Sequence, residues 1–202
     1  MLGALNQKPG INEANRLLPV ERYGMKLMSL GFLVEEATAV VWRGPMSFKA
    51  MVQFLRDVDW GELDYLVVDL PPGTGDVQLS LAQKVPVSGA IMVSTPQNMS
   101  LIDVKKAIDM WKRVNVPVLG LVENMSYMLA PGTGEKIQLF PKGEMDSYLN
   151  AQKIPKLQEI SFNPAVSMGS EAGVPVVESY DKSPEARSFF DLANQMREIL
   201  PL

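Results

Sequence analysis

The stretch Asp69-Leu70-Pro71-Pro72-Gly73-Thr74-Gly75-Asp76 follows directly on the apolar run Tyr65-Leu66-Val67-Val68. A short run of this kind, ended by turn residues, predicts a buried parallel strand over residues 65–70 that gives way to a loop at Pro71. Pro72-Gly73-Thr74-Gly75 looks at first like a phosphate-gripping glycine loop. Such a loop needs Lys and then Ser or Thr after its last glycine, to hold the terminal phosphates and magnesium. Asp76 and Val77 stand in those places, and a carboxylate facing phosphate is repulsive. The string suits a different role. An aspartate at the tip of a buried strand can hold Mg²⁺, directly or through water, as the Walker B residue of nucleotide enzymes does. Gly73 and Gly75 then let the next loop approach a γ-phosphate with no Cβ in the way. The plainer alternative is a strand-to-helix turn with Asp76 as N-cap.

Working outward, further apolar runs predict strands at residues 25–30, 90–95 and 118–123, with a weaker one at 157–160. Helical patterns lie between them. Pro45 suits a first helical turn, and Met51, Phe54, Leu55 and Val58 then share a face. Leu101, Val104, Ile108 and Trp111 recur at three- and four-residue steps. Ser183-Pro184 reads as an N-cap and first-position pair for a last helix burying Ala186, Phe189, Phe190, Ala193 and Met196 and ending near Pro201. Strands alternating with helices give an α/β class with a mainly parallel sheet flanked by helices. Ligands in such sheets bind beyond the carboxyl ends of the strands. The Gly/Pro-rich stretch 130–147 is expected to be an exposed excursion.

The chain has 202 residues and a net charge of −4, which suits one domain and argues against a nucleic-acid grip. No apolar run has the length to cross a bilayer, and the first ten residues lack a signal-peptide layout, so a cytoplasmic location without a membrane partner is expected. There is no cysteine and no histidine. Disulfides, thiolate ligands and imidazole bases are therefore excluded within this chain. Its chemistry is left to carboxylates, Lys/Arg, hydroxyls, backbone amides and hard cations.

Two more strand ends carry distinctive strings: Thr95-Pro96-Gln97, and Glu123-Asn124-Met125-Ser126 after the run Val118–Val122. Each reads singly as turn chemistry, the first with Asn98 or Ser100 as a helix cap and the second with an amide able to meet a purine edge. Together with Trp42-Arg43-Gly44-Pro45-Met46, Asp59-Trp60-Gly61-Glu62-Leu63-Asp64-Tyr65 and Asn115-Val116-Pro117-Val118, and in this order, they resemble the Mrp family within the MinD-like branch of P-loop ATPases. The resemblance covers nearly the whole chain and thins after Phe140. It implies an ATP- and Mg²⁺-binding, dimeric, cytosolic carrier of a [4Fe–4S] cluster that serves iron–sulfur client proteins. Carried over by position, Asp69 is the Walker B aspartate and magnesium ligand, and Gly73 the γ-phosphate-sensing glycine. Asn124 faces adenine, and Pro96 and Gln97 lie near the nucleotide.

Two departures qualify that expectation. The family's first strand, its lysine-bearing P-loop and the helix and strand that follow have no counterpart in residues 1–202, so the resemblance makes the chain a single partial P-loop NTPase domain lacking its central first strand. Backbone amides and lysines of that loop supply most phosphate binding, and without them ATPase activity should be negligible. The family's Cys-x-x-Cys falls on Ala130 and Thr133, which argues against cluster binding. The expected result is a truncated or degenerate carrier homologue, alone marginally folded, rearranged, or completed by another polypeptide such as a second copy or a paralogue. The alternatives are a non-catalytic interaction subunit that keeps the fold, or a partial gene product of an active ATPase.

Overall fold

Antiparallel hairpins open the chain. In the computed structural model, which describes residues 1–5, 7–33 and 44–202, β1 (Gly10–Ile11) pairs with β2 (Leu17–Leu18), and β3 (Val20–Arg22) with β4 (Met25–Leu27). Trp42 and Arg43 lie outside the described residues, as do the side chains at 44–47 and 76. The expected parallel strand at 25–30 is instead β4, a partner of the strand just before it. Tyr23 and Gly24 take positive φ, and so tight a turn returns the chain onto itself.

Helix α1 (Gly44–Arg56) follows, then an irregular stretch, α2 (Asp76–Lys84), β5 (Ala90–Ser94), α3 (Asn98–Arg113) and β6 (Val118–Glu123). The hairpin of β7 (Met128–Leu129) and β8 (Lys136–Ile137) leads to α4 (Met145–Gln152) and β9 (Lys156–Glu159). Helices α5 (Pro164–Ala172), α6 (Val176–Ser179) and α7 (Pro184–Ile199) complete the chain. Strands β5, β6 and β9 form a parallel sheet in that order, so the α/β architecture read from the sequence holds.

Each face of that sheet has its own cover. Leu101, Val104, Ile108 and Trp111 of α3 are buried with Met92, Leu121, Met145 and Leu149. At about 1.5–3 kcal/mol for each large apolar side chain removed from water, this is the main stabilising contact surface. On the other face Val122, Leu157 and Ile160 meet Phe189, Leu192 and Met196 of α7. Ser183 caps α7 as expected, its Oγ accepting the Ala186 N–H at 3.1 Å. The register of α7 differs from the sequence reading: Phe190 and Ala193 are exposed, and Leu192 packs in their stead.

The larger correction lies at residues 65–70. No strand forms there among the described residues. Leu66 and Val68 are exposed and Val67 is 89% exposed, while across the gap Val93 on the free edge of β5 is 67% exposed. A strand needs a ladder partner for its N–H and C=O groups, and neither side supplies one to the other. Residues 65–70 and the edge of β5 do not pair with each other among the described residues.

Candidate functional site

The carboxyl ends of β5 and β6 are stitched together. The Asn124 N–H donates to the Ser94 carbonyl at 2.7 Å, and the Ser126 N–H to the Ile160 carbonyl at 3.0 Å beyond β9. Asn124 Oδ1 accepts the Met125 N–H at 3.0 Å, and Met125 sits at φ 54°, so this turn is tied to both neighbouring strands. Pro96 is buried beside it and Gln97 is exposed. Gln97 is the N-cap of α3 and makes no side-chain cap bond. Asn98, expected as a cap, accepts the Glu144 N–H at 2.9 Å through Oδ1, and Ser100 Oγ lies 2.7 Å from Thr95 Oγ1. The stretch 130–147 is therefore only partly an exposed excursion. Its end folds over these strand tips, where a Cβ on Gly143 would collide with Asn98 Oδ1 and press on the Pro96 carbonyl at 3.0 Å.

An ionic brace underlies the turn. Glu123, the buried last residue of β6, accepts the Ser126 hydroxyl at 2.5 Å. Lys156 Nζ lies 3.3 Å from Glu123, 2.5 Å from Asp146 and 3.2 Å from Glu159. Burial works against the Lys156 charge, but the hydrogen bond to Asp146, the Glu123 charge and the hydrogen bond to Glu159 outweigh it and push its pKa up to about 12. Lys136 Nζ extends the chain of charges, 3.9 Å from Glu159 and 4.0 Å from the centre of the Tyr127 ring. Sequence reasoning missed this network. Its only signal was a charged residue at the end of one apolar run and another at the start of the next.

The Asp69 half is built differently. Asp69 is exposed at the end of the unpaired segment, and among the described residues no hydrogen bond or ion pair joins it to Pro96, Gln97 or Asn124. Gly73 has φ +97°, and a Cβ there would meet nothing within 4 Å, so glycine is required by conformation and not by space. Gly75, not Asp76, is the N-cap of α2, with no side-chain cap bond. Gln78 is buried and donates through Nε2 to the carbonyls of Pro71 at 2.7 Å and Gly73 at 3.1 Å.

Ala130 and Thr133 lie in the connection of the β7–β8 hairpin. The Ala130 N–H donates to the Glu135 carbonyl at 2.8 Å and the Gly134 N–H to the Ala130 carbonyl at 3.0 Å. The Thr133 hydroxyl oxygen accepts the Glu135 N–H at 3.3 Å. A methyl group and a hydroxyl cannot bind iron as thiolates do. No group of His, Cys, Asp or Glu suited to a metal ion occurs among the described residues. An iron–sulfur cluster does not fit the residues present. No helix among the described residues is long and apolar enough to cross a membrane.

Comparison with known proteins places this geometry. Residues 1–197 match the family described as "ParA: NUBPL iron-transfer P-loop NTPase". The chain is 42% identical over 201 residues to the iron-sulfur cluster carrier protein of Aquifex aeolicus, covering 99% of this chain and 55% of that protein. It is 44% identical over 192 residues to the iron-sulfur protein required for NADH dehydrogenase, mitochondrial, of Arabidopsis thaliana, covering 95% of this chain and 61% of that one. The chain thus spans little more than half the length of these relatives. Among solved structures it resembles the nucleotide-binding protein of Archaeoglobus fulgidus in complex with ADP, with 37% identity and a TM-score of 0.72 over 91% of this chain and 70% of that one. The cell division ATPase MinD of Pyrococcus furiosus shares the fold at 22% identity and a TM-score of 0.55.

Proposed function

The chain belongs to the NUBPL iron-transfer P-loop NTPase family, and on that premise we propose that residues 1–202 form a single partial P-loop NTPase domain of an ATP-binding iron–sulfur carrier. In this reading Asn124 faces the adenine of a bound nucleotide, and Pro96 and Gln97 lie in a loop near that nucleotide. Asp69 and Gly73 are the magnesium-holding and phosphate-sensing elements of the site. ATP hydrolysis and cluster binding by this chain alone are weak or absent. One observation carries the proposal: the Asn124 turn is bonded into the sheet while Asp69 ends a segment with no ladder partner. A magnesium ligand must be held in place to act on a triphosphate, and residues 1–202 contain no glycine loop followed by Lys and Ser/Thr to hold the phosphates.

Calorimetric titration of the purified chain with ATP–Mg²⁺ tests this. Binding no tighter than millimolar is expected, unchanged in Asp69→Ala. Micromolar affinity that Asp69→Ala abolishes would overturn the reading. Iron–sulfur clusters enter as cargo, and reconstitution with iron and sulfide should leave no cluster absorbance in the protein fraction.

A second reading, an interaction subunit that keeps the fold, is favoured by the apolar residues at 66–68 and by Ile91 and Val93 beside the free edge of β5. Unpaired edges of this kind are templates for another chain. Homodimerisation or pairing with a paralogue follows from either reading. Light scattering across a concentration series should show self-association that weakens when Val93 is replaced by Lys.

A further inference from the structure

The switch loop is stiff on one side and loose on the other. Pro71 and Pro72 lock their own φ and restrict the residues before them. Gly73 and Gly75 then remove the constraint that a Cβ would impose. All of residues 71–75 are exposed, so packing does not order them. Among the described residues, the side chain that reaches them is Gln78, in the first turn of α2 and only 3% exposed. Its Nε2 carries two protons, and the carbonyls of Pro71 and Gly73 take one each, at 2.7 and 3.1 Å. Both partners are acceptors, so only a donor satisfies them. Burying that amide without these bonds would leave a desolvated polar group unsatisfied.

The consequence for the loop is geometric. Two carbonyls separated by Pro72 are drawn inward to one point. With Gly73 at φ +97°, that capture specifies one path through the glycines. For the N–H groups of Gly73, Thr74 and Gly75 no backbone or side-chain acceptor is found among the described residues. Inward carbonyls, with amides that have no partner among the described residues, suit an oxyanion on the open side.

We propose that Gln78 is the positioning residue of this loop: its buried amide holds the Pro71 and Gly73 carbonyls so that the amides of residues 73–75 are presented in one arrangement to a terminal phosphate. The proposal deepens the reading of Gly73 as the phosphate-sensing glycine and rests on it. Gln78 touches no reacting atom and acts through the loop.

The test uses the nucleotide-free chain, so that it judges Gln78 separately from the ATP titration that judges the site. In wild type, the Gln78 side-chain NH₂ protons should exchange with solvent at least tenfold more slowly than those of the exposed Gln97. Equal rates overturn the proposal without any variant. Gln78→Met keeps the length and loses the donor, and Gln78→Glu keeps the shape and replaces the donor with an acceptor. In both, backbone order parameters of Gly73, Thr74 and Gly75 should fall from about 0.85 to below about 0.6, while those of residues 79–84 stay unchanged. A merely structural role would lower the order of α2 together with the loop. Unchanged loop order in Gln78→Met, or loss spread evenly over α2, counts against the amide as the holding group.

Discussion

Strand β6 and segment 64–70 are written in the same alphabet: Val118-Leu119-Gly120-Leu121-Val122-Glu123 against Asp64-Tyr65-Leu66-Val67-Val68-Asp69-Leu70. Both are apolar runs ending near an acidic residue, and both precede a turn with distinctive chemistry. One is the centre of the sheet, with β5 and β9 on its flanks and a helix over each face. The other forms no ladder and leaves its valines in water. The difference lies in partners, since β propensity measures mostly packing against neighbours. The same contrast divides the candidate site, whose Asn124 side inherits the rigidity of β6 while its Asp69 side does not.

Substitutions can break or sharpen that contrast. Leu121→Ala, at a side chain 0% exposed, should cost about 2–5 kcal/mol in urea unfolding. Lys156→Met should cost about 1–3 kcal/mol, because Glu123 is left buried with the Ser126 hydroxyl and no cation. The loss should appear as weakened amide protection around residues 123–126.

Acid should loosen the α7 side next. Burial raises the Glu185 pKa, but hydrogen bonds from Ser161, its own backbone, Asn163 and Ser183 outweigh that and hold it below the usual carboxylate value. A lowered folded pKa stabilises the fold at any pH above the unfolded value of about 4.5, and that contribution disappears as pH falls through the folded value. Glu185→Gln should cost about 1 kcal/mol at pH 7 and give a shallower loss of stability below about pH 4.5. Identical acid limbs for the two proteins would remove Glu185 from the account. Val67→Ala should fall within about 0.5 kcal/mol of wild type. A cost near that of Leu121→Ala would mean that segment 64–70 is packed in solution, and the contrast would collapse.

How legible each part was in the sequence follows the same division. The apolar spacing of Leu101, Val104, Ile108 and Trp111 announced α3 because that period is written in one element and needs no knowledge of its neighbours. Ser183-Pro184 announced the start of α7 for the same reason. The strand at 65–70 was misread because pairing belongs to two segments at once. Phe190 and Ala193 were assigned inward by periodicity, yet α7 turns Leu192 to the sheet. The resemblance singled out Asn124, Pro96 and Gln97, which follow the paired strands β6 and β5. It could not foresee the reach of Lys156 across to Glu123, or the hold of Gln78 on two carbonyls, since a single polar residue in a strand or a helix gives no hint of its partner.

The β7–β8 hairpin closes on its own main chain, through the Ala130–Glu135 and Gly134–Ala130 bonds, with residues 131–134 turned to solvent. Its tip works like an interchangeable tool on a fixed handle. Chemistry placed at 130 and 133 is decoupled from folding, so the loss or gain of a metal-gripping pair there is neutral to the body of the protein.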